Sequence, residues 1–146
     1  MSLIREAIDN DIPSILNLLY ELERPEPLDE NEVKIFKNKI QDYFSDPQKI
    51  IIVAEQDSIV IGLISMIILQ RLNRAKQELY IPELVVTESK RSLGVGKQLM
   101  EFCEQFAKKH DCHRIRLESG NSRISSHSFY KALGFEQSSL SFSKNI

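Results

Sequence analysis

The stretch from Leu84 to Met100 constrains this chain more than any other. A strand-like run, Leu84-Val85-Val86, gives way to Arg91-Ser92-Leu93-Gly94-Val95-Gly96-Lys97, and Val95, Leu99, Phe102, Cys103 and Phe106 then recur at helical spacing. The first amides of such a helix lack intrahelical partners and lie at the positive end of its dipole, so Leu93 to Lys97 offer donors to an anion. Gly94 and Gly96 remove Cβ atoms that would block its approach, and Arg91 adds charge, so phosphate is the natural guest. Two phosphate loops are excluded by the letters. Arg91 and Gln98 stand where a nucleoside triphosphate loop needs its first Gly and its Ser or Thr. Leu99 stands where a dinucleotide fingerprint needs a third Gly, and the turn lies late in the chain.

With 146 residues, 42% hydrophobic and 27% charged, the chain is read as one domain, 1–146, with a full core. A net charge of −2 gives no global positive field for nucleic acid or an anionic membrane, so neither is expected as a partner. Two cysteines and an opening without a basic and apolar leader point to a reduced, cytoplasmic setting. The longest apolar stretch, Ile59 to Leu69, falls short of the roughly 20 residues that span a bilayer.

Leu3 to Ile8 reads as a strand running into a helix, with Asn10 or Asp11 able to accept from its first amides and Pro13 in its first turn. Ile12, Ile15, Leu16, Leu19 and Leu22 form its apolar stripe, and Pro25 and Pro27 forbid continuation, leaving a loop from Arg24 to Leu28. A second helix from about Asp29 presents Val33, Phe36, Ile40 and Phe44 and stops at Asp46-Pro47. The runs at 50–54 and 59–64, joined by Gln56-Asp57-Ser58, read as a hairpin buried on both faces. One strand from about Gln77 to Val86, the helix from Gly94 to Lys108, a strand at 114–118, a helix from Ser125 to Leu133 closed by Gly134, and a final strand from Phe135 to Phe142 complete the chain. The order β-α-α-β-β-β-α-β-α-β gives a mixed sheet with helices on its faces, on the border of α/β and α+β.

Arg91, Gly94 and Gly96 together resemble the acyl-CoA signature of the Gcn5-related N-acetyltransferases: Gln or Arg, two residues, Gly, one residue, Gly or Ala. Glu83-Leu84-Val85-Val86 looks like that family's splayed strand, and Ser126-His127-Ser128-Phe129-Tyr130-Lys131-Ala132-Leu133-Gly134-Phe135 is similar to its second motif. The likeness covers Ile4 to Phe142 and is nearest to small-amine acetyltransferases, among them those of aminoalkylphosphonates. Ser92 departs from the pattern, because the family often has Gly directly after the Arg; its side chain must point away from pyrophosphate or bond to it.

The resemblance implies a mainly antiparallel sheet flanked by helices, acetyl-CoA as co-substrate, a small-molecule amine acceptor, direct transfer without an acyl-enzyme, and room for a homodimer. It implies pyrophosphate on the amides of Leu93, Gly94, Val95, Gly96 and Lys97 beside Arg91 and Ser92, and pantetheine along the edge of Leu84, Val85 and Val86. An amide near Val86 would polarise the thioester, Tyr130 would protonate the leaving thiolate, and Asn121 would reach the pantetheine. Glu83 is the first candidate base, being the acid nearest the coenzyme edge. Strict alternation sets it on the face of Leu79 and Ile81, with Glu78, Tyr80 and Pro82 opposite unless a bulge intervenes. Pro82 stands where related enzymes often carry Glu, so a base acting through ordered water is an alternative.

His127 shares a helical face with Tyr130, and Arg123 can meet an acidic group or the 3′-phosphate of CoA. His110-Asp111-Cys112-His113 lacks the spacing of a zinc site and reads as a solvated turn. Glu26, Asp29, Glu30 and Glu32 form either an acidic lip, which would favour a polyamine or aminoglycoside over a phosphonate, or a negatively charged helix start. A non-catalytic CoA-binding module and a peptide N-acetyltransferase are the alternative functions.

Overall fold

In a computed structural model, which describes residues 2–22 and 25–146, the chain divides into two compact units, one ending at Arg116 and the other Leu117–Ile146. The first contains β1 (Leu3–Glu6), α1 (Ile12–Glu21), α2 (Glu30–Ser45), β2 (Lys49–Gln56), β3 (Ile59–Leu69), β4 (Gln77–Ile81), β5 (Leu84–Val86), α3 (Val95–Lys109) and all but the last residue of β6 (Cys112–Leu117). Arg24, at the start of the loop expected after the first helix, lies outside the described residues.

The strands lie in the order β1-β2-β3-β4-β6, with β5 paired to β3, and every pairing whose register is resolved is antiparallel. The hairpin grips because Ile51, Ile52, Val53 and Ala54 on β2 and residues 61–66 on β3 are all buried, which burial on both faces requires. On one face Ile12, Ile15 and Leu16 of α1 and Ile40 of α2 pack with Ile51, Val53, Leu63 and Val85. On the other, Leu99 of α3 approaches so closely that a Cβ on Gly62 would meet its side chain at 3.4 Å and the Val85 carbonyl at 3.2 Å.

The start of the first helix differs from expectation. Neither Asn10 nor Asp11 caps α1 through its side chain. Asp11 instead accepts from the Ile8 amide at 2.8 Å and from both Arg5 nitrogens at 2.8 and 3.0 Å, tying β1 to the helix it precedes. At α2, Asp29 does cap, accepting from the Glu32 amide at 2.9 Å, while Glu30 and Glu32 face the positive end of the dipole.

Two strands are corrected. The strand expected over 77–86 is broken at Pro82-Glu83 into β4 and β5. The final strand expected over Phe135 to Phe142 is absent: the second unit holds α4 (Ile124–Ala132), closed by the Gly134 amide on the Lys131 carbonyl, and no strand after it. Glu136 to Ser139 brings no apolar side chain, and Leu140 and Phe142, whose alternation suggested a strand, are 75% and 89% exposed. Nothing they bury offsets the cost of ordering that backbone.

Arg5 and the Ile8 amide hold the Asp11 carboxyl below its ordinary 3.8, against the upward push of burial. Its stabilisation is therefore full above that value and lost as pH falls through the lowered one. Asp11→Asn is expected to cost about 2 kcal/mol at pH 7. Melting curves of the two proteins should differ by about 5 °C at pH 7, draw together as pH falls below 3.8 and coincide only below the lowered value of Asp11.

Candidate functional site

The break between β4 and β5 is a bulge. Tyr80 lies opposite Ile67 and Val85 opposite Leu63, so four steps along β3 face five along its partner. The extra residue reverses the alternation, and Glu83 turns to the face of Tyr80 and Glu78 instead of that of Leu79 and Ile81. Ser65 fixes it there. The Ser65 amide donates to the Glu83 carbonyl at 3.0 Å, the Glu83 amide donates to Ser65 Oγ at 3.0 Å, and the Ser65 hydroxyl donates to the Glu83 carboxylate. Ser65 is buried, so the hydroxyl holds this carboxylate with little competition from water.

Past the bulge, the Thr87 amide donates to the Ile61 carbonyl at 2.8 Å. Alternation between that bond and the one at Glu83 turns the polar groups of Val85 toward β3 and those of Leu84 and Val86 outward. No described strand pairs with this outer edge. Arg91, expected at pyrophosphate, here donates from Nε to the Val86 carbonyl at 2.9 Å and so fastens the loop to the end of β5. The Leu84 amide and carbonyl and the Val86 amide face the open edge, a ladder for an extended amide-bearing ligand.

Downstream, a 3₁₀ turn over Glu88–Lys90 leads to Ser92 at φ 63° and Gly94 at φ 86°, both left-handed. Gln98 donates to the Gly94 carbonyl at 3.0 Å, and the amides of Val95, Gly96 and Lys97 precede that bond at the positive end of α3. A Cβ on Gly94 would meet nothing within 4 Å, so the space above the turn is open. A pyrophosphate fits this donor set. Glu21 of α1 braces the loop, accepting from Thr87 Oγ1 at 2.9 Å and the Glu88 amide at 3.0 Å. It also lines a separate cleft of about 390 Å³ with Asn17, Gln56 and Lys90, to which residues 93–97 contribute nothing.

Glu78, buried on the Glu83 face, is surrounded by arginines. Arg116 Nε lies 2.5 Å from Oε1, Arg114 Nε 3.4 Å from Oε1 and Arg71 3.6 Å from Oε2. Burial pushes the Glu78 carboxyl up, and the Arg116 bond with the charges of Arg114, Arg116 and Arg71 overcomes it, leaving it below the usual range. Arg116 also lies over the Tyr80 ring at 4.7 Å.

Within the second unit, Tyr130 meets Phe129 and Phe135 edge-on, with ring centroids 5.3 and 5.7 Å away. Burial raises its pKa above 10 against a smaller opposing effect of Arg123, so its hydroxyl keeps its proton at neutral pH. His127 Nε2 lies 2.7 Å from the Gly120 carbonyl, a contact that uses the ring locally. Asn121 is an exposed turn residue before α4. His110 stacks on Phe106 at 4.0 Å and bonds its carbonyl, and among the described residues no cluster of three His, Cys, Asp or Glu can hold a metal ion.

Sequence reasoning passed over Ser65, Glu21 and the arginines at Glu78. Ser65 left a signal, being the one polar side chain in the eleven-residue strand β3. The other two depend on contacts between residues far apart in the chain.

The sequence pattern described as "Acetyltransferase (GNAT) family" matches residues 16–135. An aminoalkylphosphonate N-acetyltransferase of Salmonella typhimurium is 28% identical over 143 residues, 98% of this chain and 90% of that protein. In fold, the chain is similar to glucosamine-6-phosphate N-acetyltransferase from Arabidopsis thaliana, with TM-score 0.84, 21% identity and coverage of 99% and 98% of the two chains. It is likewise similar to the aminoglycoside N-acetyltransferase AAC(6')-Iy in complex with CoA, with TM-score 0.84, 18% identity and coverage of 100% and 95%.

Ser92 holds a conformation that costs an L-residue roughly 1–2 kcal/mol, of which glycine's unfolded-state freedom returns about half. Ser92→Gly is expected to stabilise the protein by about 0.5–1 kcal/mol in denaturant unfolding. Acetyl-CoA affinity by calorimetry should be unchanged; a clear loss would show that the Ser92 hydroxyl bonds the ligand.

Proposed function

Because this chain belongs to the Acetyltransferase (GNAT) family and is an acetyl-CoA-dependent N-acetyltransferase, we propose that it transfers the acetyl group directly to the primary amine of a small molecule. The observation that carries this reading is the juxtaposition, along one strand, of the Glu83 carboxylate held by Ser65 and the outward amides of Leu84 and Val86. The relatives named for aminoalkylphosphonates and glucosamine 6-phosphate are in keeping with a compact acceptor.

In this reading the amides of Leu93 to Lys97, with Arg91 and Ser92 beside them, hold pyrophosphate, and the Arg91 Nε bond to Val86 keeps the loop closed on β5. Leu84, Val85 and Val86 align the pantetheine arm, and the Val86 amide polarises the thioester carbonyl. Glu83 accepts a proton from the acceptor ammonium, directly or through one water, and the amine attacks the carbonyl carbon. As the carbon–sulfur bond breaks, Tyr130 protonates the departing thiolate and the nitrogen of the new amide loses its second proton to solvent, which later takes the first proton from Glu83 and returns one to Tyr130. Asn121 contacts the pantetheine. The roles of Tyr130 and Asn121 rest on the likeness of the 121–135 segment to the family motif and, for Tyr130, on a hydroxyl that stays protonated.

Thiol release from acetyl-CoA with a panel of small amines tests the proposal. Tyr130→Phe and Glu83→Gln should each lower kcat by about 10²-fold while acetyl-CoA still binds. The alkaline limb of the pH profile should lie above 10 and vanish in Tyr130→Phe. Binding of acetyl-CoA without release by any amine would favour a CoA-binding module instead.

A further inference from the structure

The cleft beside Glu21 carries polar groups that the transfer reaction does not use. One wall is a face of α1 with Leu18 and Glu21, a second is the β2–β3 turn with Gln56, Asp57 and Ile61, and a third is the turn after β5 with Lys90. At about 390 Å³ it stands near the small end of ligand pockets and calls for a compact occupant.

Its polar groups are incompletely matched among the described residues. The Gln56 side-chain oxygen is buried and accepts no hydrogen bond, a cost that a donor on a ligand would remove. Asp57, at the hairpin tip, and Lys90, half-buried in its turn, carry opposite charges, and neither belongs to an ion pair. Glu21, the other acid, already accepts from Thr87 Oγ1 and the Glu88 amide. An acid and a base on different walls, unpaired with each other, match the two charges of a zwitterion, and the Gln56 oxygen takes a further ammonium hydrogen. Leu18 and Ile61, each 3% exposed, give the same cleft an apolar floor for an aliphatic side chain.

We propose that this cleft binds a small aliphatic α-amino acid as an effector, and that the bound zwitterion tightens acetyl-CoA. The second clause rests on the reading above that pyrophosphate lies on the amides following this turn. Glu21 fixes Thr87 and Glu88, and Lys90 adjoins Arg91, whose Nε holds the Val86 carbonyl. A ligand spanning the hairpin and this turn restrains the backbone that leads into the amide row, and linkage makes the effect on the two ligands mutual.

L-Leucine is the probe. Calorimetry on the whole protein without acetyl-CoA should show one site for it. Isoamylamine, which lacks the carboxylate, and 4-methylpentanoate, which lacks the ammonium, should bind more weakly by about tenfold or more. Asp57→Asn and Lys90→Met should each weaken leucine by about tenfold, with melting temperature and acetyl-CoA affinity in its absence unchanged. Saturating leucine should lower the Kd of acetyl-CoA by about fivefold, acetyl-CoA should lower that of leucine by the same factor, and both effects should vanish in Asp57→Asn. No leucine binding, or equal binding of isoamylamine, would overturn the amino-acid site and leave acetyl transfer standing. Leucine that binds without changing acetyl-CoA affinity, or that is itself acetylated, would overturn the effector role. Failure to bind acetyl-CoA with or without leucine would overturn the pyrophosphate reading and the coupling with it.

Discussion

Much of this structure depends on one extra residue. At Pro82-Glu83 the strand paired to β3 takes five steps where β3 takes four, and Ser65 closes the irregularity with three hydrogen bonds. The bulge divides one strand into two with different neighbours: β4 remains between β3 and β6, while β5 keeps β3 alone and presents its other edge. The same residue sets an acid beside that edge and on the face that carries Tyr80, Glu78 and the arginines. A regular strand would pair continuously and turn Glu83 the other way.

Around this irregularity the fold arranges polar groups that support one another. Glu21 accepts from Thr87 and Glu88, Arg91 donates to Val86, and between these two anchors and the first turn of α3 the chain passes through two left-handed residues. Gly94 takes that conformation without strain, whereas Ser92 takes it at a cost, which the anchors on either side make tolerable. The resulting row of amides is held by contacts within the protein, so a ligand seated there would have little backbone to order.

How much of this was legible in the letters varies with the range of the interaction. The helices α1, α2 and α3 follow from apolar spacing, the first two also from the prolines beyond their ends, and the hairpin follows from its β-branched runs. Gly94 and Gly96 announced the helix start, and the departure at Ser92 was visible before its backbone angle was known. The bulge was not legible, because Glu78 to Val86 reads equally well as one alternating strand and the count of residues on the partner decides. The expected last strand misled for a related reason: Leu140 and Phe142 alternate correctly, but alternation signals a strand only where a surface exists to bury it.

By itself, then, the sequence determined which segments are helical, where the central hairpin and the glycine-rich turn lie and which family the chain resembles. These depend on neighbours within a few residues, where backbone preference and apolar period act directly. Tertiary structure alone decided that Glu83 turns onto the face of Glu78, that Asp11 serves Arg5 and Ile8 instead of α1, that Arg91 fastens the loop, and that three arginines gather at one buried carboxylate. Each joins residues that many sequences could bring together or keep apart. The register of the sheet, not the identity of the side chains, selects between those outcomes.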